Sequence, residues 1–203
     1  MSRRGEQRRT ALVEAATGLL GEAGPTAATA RAVAARAGVP LAAVTYYFDG
    51  VDALVQEAAE RLFAGYLDQA AALVRDDAGR PWEETLVRAW FDPSVDGPDP
   101  DRVRGTLAQV LAAAATPSLA ASLQRWDAAL VREVELVLRA AGRDVSRTRL
   151  LLAALDGAAL ARLGGVDVIT GERAAGRSLL EGLVADLRAV VDDLAPPATA
   201  PVP

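Results

Sequence analysis

Apolar residues recur along most of the chain at the three- and four-residue spacing of an α-helix. In the first such segment, 6–23, Leu12 and Ala16 lie on the apolar face, and most charged side chains lie elsewhere. Gly24 and Pro25 end this helix, because glycine suits a helix C-terminus and proline cannot continue the helix. The pattern therefore predicts an amphipathic first helix.

Two short helices are predicted next. Thr29 stands where a helix needs an N-cap hydroxyl, and a helix of about 30–37 follows and ends at Gly38. Pro40 suits the first turn of a third helix, about 41–47, because its missing N–H has no partner to lose there. Two short helices joined by a few residues that include glycine form the helix-turn-helix pattern.

The remainder of the chain also has the helical pattern. Alanine and leucine dominate it, and no strand ladder or internal repeat is evident. The segment 92–101, DPSVDGPDPD, is predicted as a loop because of its proline, glycine and aspartate content. The sequence thus predicts an all-α protein of about nine helices. The later helices are predicted at about 51–77, 81–91, 102–115, 117–141, 146–163 and 171–194.

The predicted organisation has three parts. Residues 1–50 form a three-helix head, 51–195 form a larger helical body, and the Pro/Ala-rich residues 196–203 form a disordered tail. No run of 18 apolar residues is present, so no membrane span is expected. The charged start MSRRGEQRRT lacks a signal-type apolar stretch, and the chain has no cysteine, which favours a cytoplasmic location.

Charge and composition narrow the possible functions. The net charge is −5, yet residues 1–50 carry six arginines and four acids, so the positive excess lies in the head. Such asymmetry is typical of a nucleic-acid-binding segment. The absence of His and Cys excludes imidazole and thiolate metal sites and Ser-His or Cys-His catalysis. Nothing else in the sequence supports an enzyme, and no cofactor is expected.

The segment 26–55, TAATARAVAARAGVPLAAVTYYFDGVDALV, resembles the DNA-binding region of the tetracycline-repressor (TetR) family. The matching features are Thr29 at the cap, Gly38 in the turn, the aromatic run 46–48, and Leu54 at the opening of the long helix. The layout of a small head followed by a larger helical body also matches. The resemblance implies a ligand-responsive, sequence-specific transcriptional regulator, with repression as the simpler role and a small molecule releasing it from its operator.

The expected DNA contacts follow from this resemblance and from side-chain chemistry. A recognition helix needs small side chains to fit the major groove, and a Thr methyl or hydroxyl can contact a base edge. The resemblance places Arg31 as a base-reading residue, and Thr29 and Tyr46 as phosphate ligands. The predicted double-stranded-DNA-binding residues are Thr29, Arg31, Leu41, Ala42, Ala43, Thr45, Tyr46 and Tyr47.

Two features of the head leave alternatives open. The N-terminal arginines Arg3, Arg4, Arg8 and Arg9 form either a flexible arm on DNA or a solvated end. Where family members often have a lysine, this chain has Val51, flanked by acids at 49 and 52. The loss of positive charge weakens the expected phosphate attraction, so a helical binding or scaffold protein is the alternative to a regulator.

Dimerisation is expected because two heads must occupy adjacent major grooves about 34–36 Å apart. The last two helices of the chain carry apolar stripes, and family members pair through these helices. The alternative is that both stripes belong to the core of one chain. The stripe residues are Leu150, Leu151, Ala154, Leu155, Ala158, Ala161 and Arg162 in the first helix, and Leu179, Leu180, Leu183, Leu187, Val190 and Val191 in the second.

The middle helices are expected to enclose a small-molecule effector, with aromatic side chains as large adaptable surfaces. Asp156 interrupts an apolar surface, so it either lines the pocket or satisfies a buried polar group. Arg102 and Arg104 either hold an anionic ligand or lie at a solvated loop edge. By the resemblance, effector binding changes the angle of the long helix and hence the spacing of the two heads. The tentative effector-binding residues are Phe63, Tyr66, Trp82, Trp90, Trp126 and Asp156.

Overall fold

The computed structural model describes residues 3–76, 79–94, 97–167 and 178–198. Within these ranges all regular structure is helical apart from isolated β-bridge positions, which confirms the all-α prediction. Two short 3-10 helices cover Pro25–Ala27 and Pro117–Leu119. The nine α-helices of the described residues are α1 (Arg3–Ala23), α2 (Ala30–Arg36), α3 (Ala42–Tyr47), α4 (Gly50–Arg75), α5 (Trp82–Phe91), α6 (Pro100–Ala114), α7 (Ala120–Ala140), α8 (Thr148–Leu163) and α9 (Leu179–Leu194).

At most of the described α-helices, one or both ends differ from the predicted ends by one to three residues. Helix α1 already begins at Arg3, and α6 begins at Pro100, inside the predicted loop, where proline is tolerated because a first-turn N–H has no helical partner. Residues 171–177 of the predicted last helix lie outside the described residues. The described α9 begins behind a capping box, in which Ser178 and Glu181 each accept a hydrogen bond from the other's backbone N–H.

The start of the predicted disordered tail is paired instead with the segment after α7. The N–H of Asp144 donates to the carbonyl of Pro196 at 2.8 Å, and the N–H of Ala198 donates to the carbonyl of Gly142 at 2.7 Å. These hydrogen bonds satisfy backbone groups that would be exposed to solvent in the disordered tail predicted from composition. Residues 199–203 lie outside the described residues.

The chain divides into two compact units. The N-terminal unit comprises Met1–Tyr66 and Gly105–Asp127, and the C-terminal unit comprises Leu67–Arg104 and Ala128–Pro203. The N-terminal unit therefore contains the predicted three-helix head together with parts of α4, α6 and α7. The predicted boundary at residue 50 separates a DNA-binding head from a helical body by function. The two units are separated by packing, so they do not test that boundary, and it stays a prediction.

The N-terminal unit has one hydrophobic core to which every helix of the head contributes. Fully buried Leu12 and Ala16 come from the predicted apolar face of α1, and Val33 and Val44 anchor α2 and α3. Burial of such side chains is the main favourable term in folding. The buried core residues are Leu12, Val13, Ala15, Ala16, Leu20, Ala28, Val33, Ala34, Val44, Phe48, Leu54, Val55, Ala58, Ala59, Ala113 and Leu119.

The C-terminal unit joins α8 to α9 through apolar packing and a buried ion pair. Leu151 and Leu155 of α8 are buried, as is Leu187 of α9. The guanidinium of Arg162 on α8 donates to both carboxylate oxygens of Asp186 on α9, and the two side chains are only 6% and 5% exposed. Hydrogen bonding to Asp186 raises the pKa of Arg162 above its ordinary value despite burial. This pair fixes the relative position of the two helices.

Asp92, a buried residue at the C-cap of α5, makes hydrogen bonds within the Asp-rich segment 92–101 that was predicted as a loop. Its carboxylate accepts hydrogen bonds from Arg102 Nε at 2.8 Å and from the N–H of Ser94 at 3.1 Å. Arg102 also donates to the carbonyl of Gly97 at 2.9 Å, whereas Arg104 pairs with the exposed Asp101. Arg102 therefore holds the loop, and the described contacts favour the loop-edge interpretation of both arginines.

Within the described ranges, no single helix is both long and apolar enough to cross a membrane. One pair, Pro100–Ala114 with Pro117–Ala140, passes the same test of length and composition together, with a bend of 102° at the break. Across the same ranges, no group of three or more carboxylates is placed to hold a metal ion.

Candidate functional site

The start of α2 is built around the hydroxyl of Thr29. Thr29 has extended backbone angles, and its Oγ1 accepts a hydrogen bond from the N–H of Ala32 at 3.2 Å. The predicted N-cap is thus confirmed. The side chain is exposed, and its hydroxyl proton remains able to donate to a group outside the chain.

The turn between α2 and α3 fixes how the third helix is presented. Gly38 has φ +65°, its N–H donates to the carbonyl of Ala35, and the N–H of Val39 donates to the carbonyl of Ala34. This is a Schellman motif, whose left-handed position favours glycine because a Cβ would be strained there. The turn leads directly into Leu41, whose helical backbone angles start α3.

Helix α3 buries one side and exposes the other. Val44 is buried in the core of the N-terminal unit, and Ala43 and Tyr47 are partly buried against that core. On the opposite side Tyr46 is 79% exposed and Leu41 is 51% exposed. Both side chains are therefore available to a partner molecule. The predicted DNA residues that are exposed are Thr29, Arg31, Leu41, Ala42, Thr45 and Tyr46.

The hydroxyl of Thr45 is partly committed within α3. Thr45 Oγ1 lies 3.2 Å from the carbonyl of Ala42 and donates to it. The oxygen keeps its capacity to accept a hydrogen bond, and the methyl group stays exposed. Thr45 therefore suits an acceptor or methyl contact better than a donor contact to a base.

Arg31 is exposed on α2 and makes no ion pair with another described residue. Arg36, at the other end of the same helix, pairs with Glu22 of α1 at 2.5 Å. Of the two arginines on α2, only Arg31 keeps its guanidinium available to a partner molecule.

The four N-terminal arginines divide into two groups. Arg3, Arg4 and Arg8 are exposed on α1 and make no ion pair with another described residue. Arg9 is half-buried and forms a bidentate ion pair with Glu57 of α4. The predicted flexible arm is thus helical over its described residues, because α1 extends through them. No local sequence signal distinguishes Arg9 from its neighbours, because its partner Glu57 lies 48 residues away along the chain.

The exposed apolar face of α8 is a second candidate partner surface. Leu151, Leu155 and Ala158 of the predicted dimer stripe are buried within the C-terminal unit, so they belong to its core. Leu150 and Leu160 are each 56% exposed. The face they share, here called the α8 face, consists of Leu150, Ala153, Ala154, Gly157 and Leu160.

Three of the predicted effector residues come together in the N-terminal unit. The rings of Phe63 and Trp126 stack with centroids 5.2 Å apart, and the ring of Tyr66 meets Trp126 edge-on at 5.7 Å. The indole Nε1 of Trp126 is buried and has no hydrogen-bond acceptor among the described residues. A buried donor without a partner is costly, so this N–H is suited to an acceptor on a bound molecule or a water.

The other three predicted effector residues lie in the C-terminal unit and have partners there. Trp90 Nε1 donates to Asp156 Oδ1 at 2.7 Å, and Trp82 packs its ring under the guanidinium of Arg143 at 5.5 Å. Asp156 therefore satisfies the polar group of a half-buried tryptophan, which was one of the two interpretations of this residue. The indole N–H of Trp90 therefore has a partner within the chain, whereas the contact of Trp82 is made by its ring face.

Two family models match the chain. Residues 12–58 match the model for bacterial regulatory proteins of the TetR family. Residues 83–186, just over half of the chain, match the tetracyclin repressor-like C-terminal domain. No curated protein shows significant sequence similarity to the chain.

Solved structures of similar fold cover nearly the whole chain. A transcriptional regulator from Rhodococcus sp. Rha1 is 24% identical, with a TM-score of 0.61 over 95% of this chain and 99% of that one. The multidrug binding protein EbrR, solved with imidazole, is 27% identical, with a TM-score of 0.60 over 97% and 96% of the two chains. SmeT, the repressor of the Stenotrophomonas maltophilia multidrug efflux pump SmeDEF, is 17% identical, with a TM-score of 0.55 over 96% of each chain.

Proposed function

Because the chain belongs to the TetR family of bacterial transcriptional regulators, we propose that it is a homodimeric repressor that a small molecule releases from a specific operator. Family membership makes it a transcriptional regulator and sets the enzyme alternative aside. Repression is the simpler role, since occupying a promoter is enough to block it. A cytoplasmic location is part of the same proposal, because operator DNA is found there.

The observation that carries the proposal is the surface formed by the start of α2 and the exposed side of α3. Arg31 offers a guanidinium with no competing ion pair among the described residues, which suits a bidentate contact to guanine. Thr29 and Tyr46 offer exposed hydroxyls for phosphates. Small residues at 42 and 45 let α3 approach the floor of a major groove. Buried Val44 holds this helix against the core, so the surface is presented rigidly.

The charge near the start of α4 favours the scaffold alternative. Asp49 and Asp52 are exposed there, close in sequence to the end of α3. Acids on the expected path of the phosphate backbone reduce the non-specific part of DNA affinity. The proposal therefore relies on specific contacts from a dimer, with Arg3, Arg4 and Arg8 as additional phosphate contacts.

Selection of bound fragments from the source genome, followed by titration at several salt concentrations, tests the proposal. We expect the wild type to select a palindromic site, and Arg31→Ala to weaken binding by about 1–3 kcal/mol and relax specificity at one base pair. Arg132→Ala removes an exposed arginine on α7 and serves as the matched control. No enrichment by a folded wild-type protein would favour the scaffold alternative.

For the dimer, the α8 face is better suited than the stripes predicted from the sequence. Its residues are exposed and apolar, and three of the five are alanine or glycine, so two copies related by a two-fold axis could approach closely. Part of α9 would complete the interface, as expected from the pairing of the last two helices in the family.

For the effector, the aromatic group of Phe63, Tyr66 and Trp126 is the proposed site. Its stacked rings suit an apolar aromatic molecule, and the indole N–H suits an acceptor on that molecule. Binding would shift the population of α4 orientations, with a coupling of about 1–3 kcal/mol between effector and operator. Among aromatic compounds that carry an oxygen acceptor, Trp126→Phe should weaken binding about two- to tenfold, the value of one hydrogen bond. Equal affinities of the wild type and Trp126→Phe for these compounds would contradict a hydrogen bond from the indole N–H to the bound molecule.

A further inference from the structure

We propose that Arg9 is a positioning residue for DNA binding, which holds α3 and α4 in a fixed relative orientation. From α1 it pairs with Glu57 of α4 and covers the ring of Phe48 at the end of α3. The inference rests on the proposed function, because it concerns how α3 is presented to an operator. It also removes Arg9 from the arginines expected to contact DNA.

The ion pair has the geometry of a strong, orienting contact. Arg9 Nη1 donates to Glu57 Oε1 at 2.8 Å, and Nη2 donates to Oε2. Two parallel hydrogen bonds between a planar guanidinium and a carboxylate fix both distance and angle, which a single bond does not. Both side chains are half-buried, so solvent screens the pair less than a fully exposed one.

The same guanidinium lies over the face of Phe48, 4.8 Å from the ring centroid. Phe48 is the C-cap of α3: its backbone turns to extended angles, and its N–H donates to the carbonyl of Val44 at 2.9 Å. The ring is buried in the core of the N-terminal unit. A cation–π contact at this ring therefore acts on the residue that ends the recognition helix.

These contacts link three helices through one side chain. Glu57 lies two turns into α4, beside the buried Ala58. A change in the direction of α4 would carry the carboxylate with it, and the guanidinium would have to follow or to lose one hydrogen bond. In either case Phe48, and with it the end of α3, is affected. Arg9 thus gives a physical route by which an effector that moves α4 would alter the recognition helix.

A second ion pair between the same two helices supplies a matched control. Arg61 of α4 donates to Glu14 of α1 through one hydrogen bond of 3.3 Å, and both side chains are exposed. No aromatic contact of Arg61 is found in the described part of the chain. If any ion pair between α1 and α4 were enough to position α3, loss of either pair would weaken operator binding equally.

Charge reversal distinguishes positioning from direct contact with DNA. The variants are Arg9→Glu, Glu57→Arg and the double variant, with Arg61→Glu, Glu14→Arg and their double variant as controls. Operator and random DNA are titrated at several salt concentrations, and melting temperature confirms folding. A change of charge alters the affinity for operator and for random DNA alike, so the ratio of these two affinities cancels that effect. Each double variant also restores the net charge of the wild type.

We expect each single variant at 9 or 57 to lower the operator-to-random ratio about tenfold, and the double variant to recover most of it. The control series should leave the ratio within about twofold of the wild type. A double variant as poor as Arg9→Glu, with a salt slope reduced by about one, would show that Arg9 contacts a phosphate and would overturn the proposal. Single variants with the wild-type ratio would overturn it too.

A measurement without DNA separates this inference from the proposed function. Hydrogen exchange of the backbone N–H groups of Val44 and Phe48 reports on α3 in the free protein. We expect exchange about tenfold faster in the single variants and near wild-type in the double variant. This result would stand even if no operator were found, whereas unchanged exchange in all variants would exclude the orienting role.

Discussion

At the residue scale, the hydroxyl of Thr29 can serve both as the N-cap of α2 and as a phosphate ligand. The two roles have different chemical requirements. A cap needs only an oxygen that accepts from the N–H of Ala32, and an aspartate provides one. A phosphate ligand needs a neutral or positive donor, and an aspartate repels the phosphate. Substitutions at this one position can therefore separate stability from binding.

Thr29→Ala should lower the free energy of unfolding by about 0.5–2 kcal/mol, because α2 loses its cap. Thr29→Asp should keep most of that stability and still lose operator affinity, since its carboxylate meets the phosphate backbone. Urea unfolding and operator titration measure the two effects, and Thr29→Ser is the control expected to retain both. Operator binding by Thr29→Asp at the wild-type level would exclude the phosphate contact.

Asp92 leads to a prediction about pH. Burial opposes ionisation of its carboxyl, but hydrogen bonds from Ser94 and Arg102, together with the N–H of Asp99, outweigh it and hold the pKa of Asp92 below its ordinary value of 3.8. A folded-state pKa below the unfolded value means that the ionised form stabilises the fold. That contribution is complete above the unfolded pKa and is lost as pH falls through the folded one.

Asp92→Asn should therefore lower the free energy of unfolding at neutral pH, and the difference from the wild type should shrink as pH falls below about 4. Urea unfolding at several pH values between 7 and 3 measures it. Asp193→Asn, at an exposed carboxylate of α9, is the control. A constant difference down to pH 3 would mean that the charge of Asp92 does not stabilise the loop.

At the scale of elements, the packing of α8 against α9 depends on a missing side chain. A Cβ built on Gly182 of α9 would lie 2.6 Å from Nη1 and 2.8 Å from Cζ of Arg162. The guanidinium is buried and held by Asp186 and Asp167, so it cannot move aside without loss of its hydrogen bonds. Glycine is needed here for space, although it is a poor residue in a helix interior.

Gly182→Ala should lower the free energy of unfolding by about 1–3 kcal/mol, because overpacking outweighs the helix propensity of alanine. Gly65→Ala is the matched control on α4, where a Cβ would meet nothing within 4 Å. There we expect a gain of up to about 1 kcal/mol. Chemical denaturation of both variants measures the contrast, and a stabilised Gly182→Ala protein would show that Arg162 can be displaced at no cost.

The sequence predicts the helices better than it predicts their faces. Periodicity, caps and breakers locate every described helix, because these signals are local. Both Leu150 and Leu155 belong to the apolar stripe that the sequence predicts on α8, but Leu155 is core and Leu150 is exposed. Only the packing partner decides between them. Likewise Arg8 and Arg9 are adjacent and chemically identical, and contacts with Glu57 and Phe48, both distant along the chain, set Arg9 apart.

At the scale of the whole molecule, the negative net charge opposes the attraction to DNA phosphates that operator binding needs. The chain carries −5 overall, and acids near the end of α3 offset the positive charge of the head, so we expect a single head to attract DNA weakly. Two heads on one rigid dimer bind adjacent grooves together, and the second contact becomes intramolecular. We therefore expect dimerisation to be required for operator binding at physiological salt.

Disruption of the α8 face tests this requirement. The double variant Leu150→Glu with Leu160→Glu places two carboxylates on exposed positions, so the chain should keep its helical content but become monomeric. Light scattering after size-exclusion chromatography gives the mass, circular dichroism gives the helical content, and titration gives the operator affinity, which should fall to the level of random DNA. Leu136→Glu, at a leucine of α7 that is 50% exposed, is the control and should remain dimeric and bind the operator.

Two outcomes would contradict this argument. If the double variant stays dimeric, the dimer interface lies on another surface. If the double variant is monomeric and still binds the operator tightly, one head supplies enough affinity, and the argument from charge is wrong.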